Sequence, residues 1–365
     1  MSDTMTIQMI EAYRSMASPT MFLSSLFQSP PRNFYNSEEV EIDIVRDTEQ
    51  VSVAIQDLSE GYRMNSEDIY TNKRFKPPVH REAAILNSVD LLKRTAGSNP
   101  FESLDYRTSL MTRMFAQMTK VEAKIRRSIE LQASQVLQTG KVNLIDSTDA
   151  TVYSIDYKPK SSHFTTAGTS WASASAKQMI ADLSKLAEQI RSDGLVDPDQ
   201  LIMGVDAFNA LIATEGFKSL LDTRRIDQGR VSPMVMRSDG GSYRGVLEIG
   251  NYRFDLWTYG GRYATAKDAT STQYLNTEKV IVRASGARMD ATFGGIPNIG
   301  TMMGAGSQLL PELPNRMTNA AGGMDLFVNV WLSTDGEQLY GGVGSRPLLI
   351  PTAIDTYGCL DSNIT

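Results

Sequence analysis

Hydrophobic and polar positions alternate along several short stretches of the chain, which is the pattern of β-strands. In "EEVEIDIVRD", Val40, Ile42 and Ile44 occupy every second position, and Glu41 and Asp43 lie between them. A period of two places the two sets on opposite faces of an extended strand. Further strand-like segments are predicted at residues 51–58, 141–158, 201–203, 246–259, 278–285, 325–333 and 346–360.

Residues 107–139 follow a helical period instead, and they contain neither glycine nor proline. Apolar side chains recur every three or four positions: Leu110, Met114, Met118, Val121, Ile125, Ile129 and Val136. This spacing predicts one helix of roughly 50 Å, ended by Gly140 as a left-handed cap. We interpret the opposite face as solvated; it carries Arg113, Lys120, Lys124, Arg127 and Glu130.

Two shorter helices are predicted later in the chain, one ending at Gly194 and one after the buried strand 201–203. Because helices and strands are mixed without a regular βαβ series, the fold class is α+β. Residues 60–78 are polar and lie between strand-like runs, which predicts a long two-stranded finger that projects from the body. The Gly- and Ala-rich residues 284–324 and the cluster "GGVGSR" (341–346) are expected to be loops.

Composition excludes several classes of protein. The 365 residues carry a net charge of −6, with basic and acidic groups intermixed, which disfavours a nucleic-acid-coating protein. The single cysteine, Cys359, leaves no internal disulfide, and with only His80 and His163 besides, a zinc site is not expected. We expect neither a signal peptide nor a membrane span, because no apolar run is long enough.

The sequence also lacks recognisable catalytic motifs. There is no Walker loop, no Gly-x-Ser-x-Gly elbow and no His-Glu-x-x-His, so neither an enzyme nor a cofactor is expected. The acidic run at 38–43 could offer paired carboxylates, but in a strand its alternate acids form a solvated edge. Cys359 is interpreted as a small buried or half-buried side chain.

Three segments are candidates for contacts with other molecules. "NKRFKPPVHREA" (72–83) gathers basic side chains around two prolines, and "LDTRRIDQGRVSP" (221–233) is a second basic cluster that could equally be a solvated loop. The apolar patch in "PTMFLSSLFQSPP" (19–31) either packs on the chain's own core or docks on a neighbour. The residues predicted to contact a neighbour are Phe22, Leu26, Phe27, Lys73, Arg74, Lys76, Arg81, Arg224, Arg225 and Arg230.

The order of these parts resembles that of the bacteriophage major capsid protein E family, the lambda-like coat proteins with the HK97-type shell fold. "PTMFLSSLFQSPPRNFYNSEEVEIDIV" looks like the opening of that family, and "RFKPPVHREA" is similar to the proline-marked end of its extended loop. "QVLQTGKV" looks like its long-helix end, and "GTSWAS" and "FKSLLDTRR" follow in matching order.

The resemblance implies a division of the chain. Residues 1–46 would form the N-terminal arm and 47–85 the extended E-loop. Residues 86–170 would form the peripheral (P) domain around the spine helix 107–139. Residues 171–335 would form the axial (A) domain, and 336–365 would return to the P-domain.

The function that the resemblance implies is that of a major capsid protein. It would assemble in the host cytoplasm as pentamers and hexamers into an icosahedral virion shell around double-stranded DNA, without reading its sequence. Its expected partners are copies of itself, scaffolding and portal proteins and possible decoration proteins. The alternatives left open are an encapsulin-like cargo shell of the same fold and, further away, a hydrolase using acidic residues.

Overall fold

The computed structural model describes residues 21–35, 39–45, 70–89, 106–145, 151–214, 221–222, 240–265, 270–296, 325–334 and 336–364. Its helices are α1 (Tyr106–Thr139), α2 (Ala176–Gly194) and α3 (Val205–Ala213). Its first strands are β1 (Val40–Val45), β2 (Tyr70–Phe75), β3 (His80–Asn87), β4 (Lys141–Ile145), β5 (Thr151–Asp156), β6 (Phe164–Thr166), β7 (Gln200–Met203), β8 (Leu221–Asp222) and β9 (Gly241–Ile249). The later strands are β10 (Tyr252–Tyr259), β11 (Arg262–Tyr263), β12 (Thr272–Gln273), β13 (Lys279–Arg283), β14 (Asp290–Phe293), β15 (Phe327–Leu332), β16 (Gln338–Ser345), β17 (Pro347–Ile350) and β18 (Tyr357–Asp361).

Helix α1 confirms the predicted spine almost to the residue. Gly140 follows it with φ of 65°, and a Cβ there would lie 2.3 Å from Pro159 Cγ, so glycine meets both a conformational and a steric need. The predicted apolar stripe is buried from Met114 to Val136, and Leu110 at its start is partly buried. The opposite face, however, is not uniformly solvated, because Glu130 is fully buried. That part of the prediction was wrong.

The largest sheet has seven strands in the order β6-β18-β13-β7-β10-β9-β8. Its middle strands are apolar on both faces. Ile202, Ile281 and Cys359 belong to the same core as α1, whereas Val280 and Leu360, one residue along their strands, belong to the core with α2 and α3. Because consecutive side chains point to opposite faces, a strand between two layers must be apolar throughout. This explains the continuous apolar runs at 201–203 and 280–282.

A second sheet has three antiparallel strands in the order β15-β16-β3. One face packs on α1 through Ala84, Val330 and Val343, which all belong to the helix's core. The central strand β16 contains "GGVGS", so the loop expected for residues 341–346 was wrong. A Cβ at Gly341 would lie 2.3 Å from Met114 Cε; the glycine lets the helix lie directly against the strand.

Several smaller predictions have clear outcomes. The hairpins β4–β5 and β9–β10 are antiparallel, as expected, and Gly250 turns the second with φ of 57°. Strand β14 was missed inside the segment expected to be loops, and it pairs with β17. The strand predicted at 51–58 lies outside the described residues.

The pairing of the strands bears on the expected division of the chain. The boundary placed at 335 falls inside the hairpin β15–β16, whose two strands share one sheet with β3 under α1. The C-terminal strand β18 lies between β6 and β13 in the seven-stranded sheet. The elements of the two expected domains are therefore interleaved along the chain, and the domain boundaries themselves stay a prediction.

Candidate assembly surfaces

The apolar patch of the arm is packed against the chain's own core. Phe22 and Phe27 are buried, and the Phe22 ring lies 5.5 Å from Trp257 and 5.4 Å from Tyr259 between centroids. Gly241 makes room for this ring, because a Cβ there would lie 2.5 Å from it. Phe22 and Phe27 are therefore buried in the subunit's own core, as one of the two alternatives for the patch expected, and their contact with a neighbour stays a prediction.

Glu130 fastens this arm to the spine helix. Its two carboxylate oxygens accept hydrogen bonds of 2.8 Å each from the backbone N–H groups of Leu23 and Ser24. Burial, the largest influence, raises the pKa of Glu130, and these hydrogen bonds act in the opposite direction. From its place on the polar face of the helix, Glu130 was predicted to be a surface residue; its burial is explained by partners more than a hundred residues away in the chain.

A second attachment holds the arm to β14. The N–H of Gln28 donates to Met289 O at 2.8 Å, and the N–H of Ala291 donates back to Gln28 O at 2.8 Å. A few residues on, the ring of Phe34 stacks on Phe293 with centroids 5.2 Å apart. Residues 21–35 therefore act as a strap that joins the spine helix to β14 within one subunit.

The finger is anchored at the proline-marked junction where it rejoins the body. Strands β1 and β2 pair antiparallel from Val40 opposite Phe75 to Val45 opposite Tyr70, which agrees with a two-stranded base. Tyr153 donates from its hydroxyl to Lys76 O at 2.5 Å, and Arg346 donates from Nε to Pro77 O at 3.0 Å. Because prolines restrict the backbone on both sides, "KPP" fixes the direction in which the finger leaves.

The structure places the predicted basic residues on both sides of this junction. Arg74, Lys76 and Arg81 are exposed, and Lys73 lies on β2 opposite Ile42. The three basic residues of the second cluster, Arg224, Arg225 and Arg230, lie outside the described residues. The register also sets Glu41 directly opposite Arg74 within one chain, so an acidic position belongs to the same finger as the basic ones. Leu26 is partly buried against the core that includes α1.

The outer face of the three-stranded sheet, away from α1, was not predicted as a surface of interest. Trp331, Tyr340 and Ile85 lie side by side across β15, β16 and β3. Trp331 is 41% exposed and Ile85 is 53% exposed. The rings of Trp331 and Tyr340 are stacked with centroids 5.3 Å apart. The alternation in "FVNVWL", with valines facing inward, was a sequence signal that Trp331 points the other way.

The buried His163 and its neighbour Asp193 make contacts that hold the subunit together. His163 is buried, with Nδ1 2.9 Å from Tyr357 O and Nε2 2.9 Å from an Asp193 carboxylate oxygen. Burial acts to raise the pKa of Asp193, but hydrogen bonds from Lys160, Gln189 and His163 outweigh it and lower the pKa to about 2. Both ring nitrogens of His163 therefore take part in contacts within the subunit.

Cys359 is buried, as the sequence suggested, and burial raises the pKa of its thiol to about 12. Such a thiol is a poor nucleophile near neutral pH. No cluster of three or more potential metal ligands occurs among the described residues. Within that same part of the chain, no helix has the length and apolar character needed to cross a membrane.

Comparison with solved structures identifies the fold. A protein assigned as a prophage capsid protein of E. coli CFT073 aligns over 98% of this chain and 98% of its own, at 16% identity and a TM-score of 0.64. A phage-related protein of Bordetella bronchiseptica RB50 aligns over 97% and 96%, at 12% identity and a TM-score of 0.49. The fold is the HK97-type shell fold, an α+β architecture, as expected from the sequence.

The sequence pattern of the phage major capsid protein E family matches residues 6–357. The chain therefore belongs to that family, and the resemblance seen in the order of its motifs is confirmed. No curated protein matches the sequence.

Proposed function

We propose that this chain is the coat subunit of a tailed phage, which assembles as pentamers and hexamers into an icosahedral shell around double-stranded DNA. The observation that carries this proposal is the family match over residues 6–357. The paired strands β1 and β2 support it, since a two-stranded element offers contact area to a neighbour beyond what a globule offers. Heterologous contacts that close into rings then produce the pentamers and hexamers.

The subunit needs no catalysis for this role, and the proposal assigns it none. Its net charge of −6 favours a wall that releases the packaged DNA over one that grips it. Assembly takes place in the host cytoplasm with scaffolding and portal proteins, and decoration proteins are possible additions on the outside. Neighbouring copies, not DNA, are the partners proposed for Leu26, Lys73, Arg74, Lys76, Arg81, Arg224, Arg225 and Arg230.

Assembly is tested by negative-stain microscopy and sedimentation of the purified protein, alone and together with the products of adjacent genes. Uniform shells, rings or tubes are expected. A monomer under every condition would contradict the proposal. The contents of purified shells separate the two kinds of container: packaged DNA supports a phage coat, whereas a constant protein cargo supports an encapsulin-like shell.

The finger junction is tested by the double variant Lys73→Glu/Arg74→Glu. We expect it to impair assembly and to leave the melting temperature of the unassembled subunit almost unchanged, because Arg74 is exposed and exposed substitutions change stability by only about 0.5 kcal/mol. The matched control is Lys177→Glu/Lys185→Glu, the same charge change at exposed positions of α2. A large loss of subunit stability would place the junction in the subunit's own core instead.

A further inference from the structure

A cleft of about 470 Å³ lies between the last turns of α1 and the two-stranded hairpin β11–β12. Residues 131–139 of α1 line one side, and the stacked rings of Tyr263 and Tyr274, with centroids 4.9 Å apart, line the other. The two sides are fastened together through Gln138, which donates from Nε2 to Tyr274 O at 2.8 Å and accepts at Oε1 from the N–H of Asn276 at 3.0 Å. The cleft is therefore formed within the subunit before any partner arrives.

The charge of this cleft is of one sign. Its described lining residues include Arg262 on the hairpin and Lys279 at the start of β13, but neither Asp nor Glu. A third basic residue, Arg127, is exposed one turn of α1 before the lining begins, and its carbonyl oxygen accepts a hydrogen bond of 3.4 Å from the Tyr274 hydroxyl. A concave surface with charges of one sign attracts groups of the opposite sign.

The chain's own acids leave the two lining cations unpaired. Within the described part of the chain, neither Arg262 nor Lys279 forms an ion pair. Strand pairing sets Asp361 of β18 opposite Lys279, but a carboxylate oxygen of Asp361 accepts a hydrogen bond of 3.0 Å from the N–H of Asn363. A carboxylate placed between the two cations would be stabilised by both of them.

Gln273 adds a requirement of the opposite kind. It lies opposite Arg262 in the hairpin, and its side-chain carbonyl oxygen is buried and accepts no hydrogen bond from the described residues. A buried acceptor is stabilised when a donor reaches it. An acidic protein segment brings both groups, a carboxylate for the cations and a backbone N–H for Gln273, whereas the backbone of DNA brings only acceptors.

We propose that this cleft binds an extended acidic segment of a second copy of the chain, with a carboxylate between Arg262 and Lys279 and a backbone N–H donated to Gln273. Each copy has 42 acidic and 36 basic residues, so acidic groups are in excess outside the cleft. Copies of like net charge repel one another, and a basic cleft that pairs with an acidic segment offsets this repulsion and fixes their orientation. The inference rests on the proposed assembly of copies and names one contact within it.

Carbodiimide cross-linking tests the contact in assemblies grown from an equal mixture of unlabelled and isotope-labelled subunits. The reagent activates a carboxylate, the amine of Lys279 attacks it, and an amide forms as the carbodiimide takes up water and leaves as a urea. Mass spectrometry should find Lys279 joined to an Asp or Glu of a copy with the other label, in higher yield than the exposed Lys177 of α2. Links from Lys279 only within its own copy, to Asp361 for example, would overturn the proposal.

A peptide probe tests the chemistry of the cleft in the unassembled subunit. Fluorescence anisotropy measures the binding of labelled hexaglutamate, and Arg262→Gln/Lys279→Gln should weaken it about ten-fold, because two charged hydrogen-bond donors are lost. The matched control, Lys177→Gln/Lys185→Gln, removes two exposed charges of α2 and should leave binding unchanged. Equal binding by the cleft variant and the natural protein would overturn the proposal.

A short DNA duplex serves as the second probe. If the cleft variant loses affinity for the duplex and not for hexaglutamate, the cleft binds phosphate groups of nucleic acid and the proposal is overturned. Sedimentation then separates this inference from the proposed function: the cleft variant should yield fewer assembled particles than the natural protein. Normal assembly of the cleft variant would overturn the inference alone, whereas a natural protein that stays monomeric would overturn both.

Discussion

The two principal sheets of this subunit differ in how many of their faces are covered. The seven-stranded sheet is enclosed, with α1 on one face and α2 and α3 on the other, so its middle strands bury side chains in both directions. Among the described residues, α1 covers one face of the three-stranded sheet, and the other face presents Trp331 and Ile85, which are 41% and 53% exposed. Both sheets contribute buried side chains to the core, but only the second leaves an apolar surface among the described residues.

The difference follows from the residues beneath the spine helix. On the enclosed sheet, consecutive apolar residues fill the cores on both faces. On the other sheet, glycines in β16 let the helix lie close on one face and an aromatic ring lie close on the other. One strand, β16, therefore uses Gly341 for the core and Gly342 for the surface.

The largest expected difference between the two sheets is in how far an isoleucine-to-alanine change lowers the free energy of unfolding. Ile202→Ala, in the middle of the enclosed sheet, should lower the free energy of unfolding by about 2–5 kcal/mol, since it removes a fully buried side chain and leaves a cavity. Ile85→Ala, on the open face, should cost at most about 1 kcal/mol. Urea unfolding of unassembled subunits measures both, and equal losses would mean that the two sheets are equally covered.

A smaller difference in the free energy of unfolding is expected when each of two adjacent glycines of β16 is replaced by valine. Gly341→Val places methyl groups against Met114 and Met118 and should cost about 1–3 kcal/mol, as overpacking of a core does. Gly342→Val pushes only Trp331, which can swing into solvent, so stability should hold while the tryptophan emission shifts. The midpoint of urea unfolding and the emission spectrum measure the pair. A larger loss of stability for Gly342→Val than for Gly341→Val would contradict the assignment of Gly341 to the buried face and Gly342 to the open face.

The smallest expected effect concerns the strap on the spine helix. Glu130→Gln leaves one backbone N–H of the Leu23–Ser24 pair without an acceptor and should lower the free energy of unfolding by about 1 kcal/mol at neutral pH. Amide exchange at Leu23 and Ser24 should become faster. Glu188→Gln, an exposed carboxylate on α2, is the control. Unchanged exchange at both amides would show that Glu130 does not hold the arm.

The pH dependence of this effect has a definite sign. Burial raises the pKa of Glu130 above its value of 4.5 in the unfolded chain. The stability linked to its proton is therefore fully present below about pH 4.5 and is lost as the pH rises through the folded-state pKa. Natural protein should thus gain stability relative to Glu130→Gln on acidification from neutral pH. A relative loss would contradict the raised pKa.

Local periodicity was enough for most elements of the fold. The length of α1, its glycine cap and the hairpins β4–β5 and β9–β10 were predicted correctly, because each depends on residues close together in sequence. The errors concern β16 and β14. The glycines of β16 suggested a loop, whereas Gly341 is needed because a side chain there would clash with Met114 and Met118 of α1. Strand β14 is too short to be recognised without its partner β17.

The candidate surfaces were predicted less well than the fold. The basic residues Arg74, Lys76 and Arg81 are exposed as expected, but whether they contact another copy stays a prediction. Phe22 and Phe27 are core residues, since apolar patches look alike whether a subunit covers them itself or a neighbour does. The apolar surface formed by Trp331, Tyr340 and Ile85 was missed because these residues lie on three strands, one of which is far from the others in sequence.

By itself, the sequence determined most of the elements, the α+β class and the family, since these follow from the period of apolar positions and the order of motifs. Only the tertiary structure decided which apolar residues the subunit buries and which polar residue it hides. Glu130 and Trp331 show the reason: burial depends on partners far away in the chain. One has backbone donors brought to it by the strap, and the other lies on a sheet face that no described helix covers.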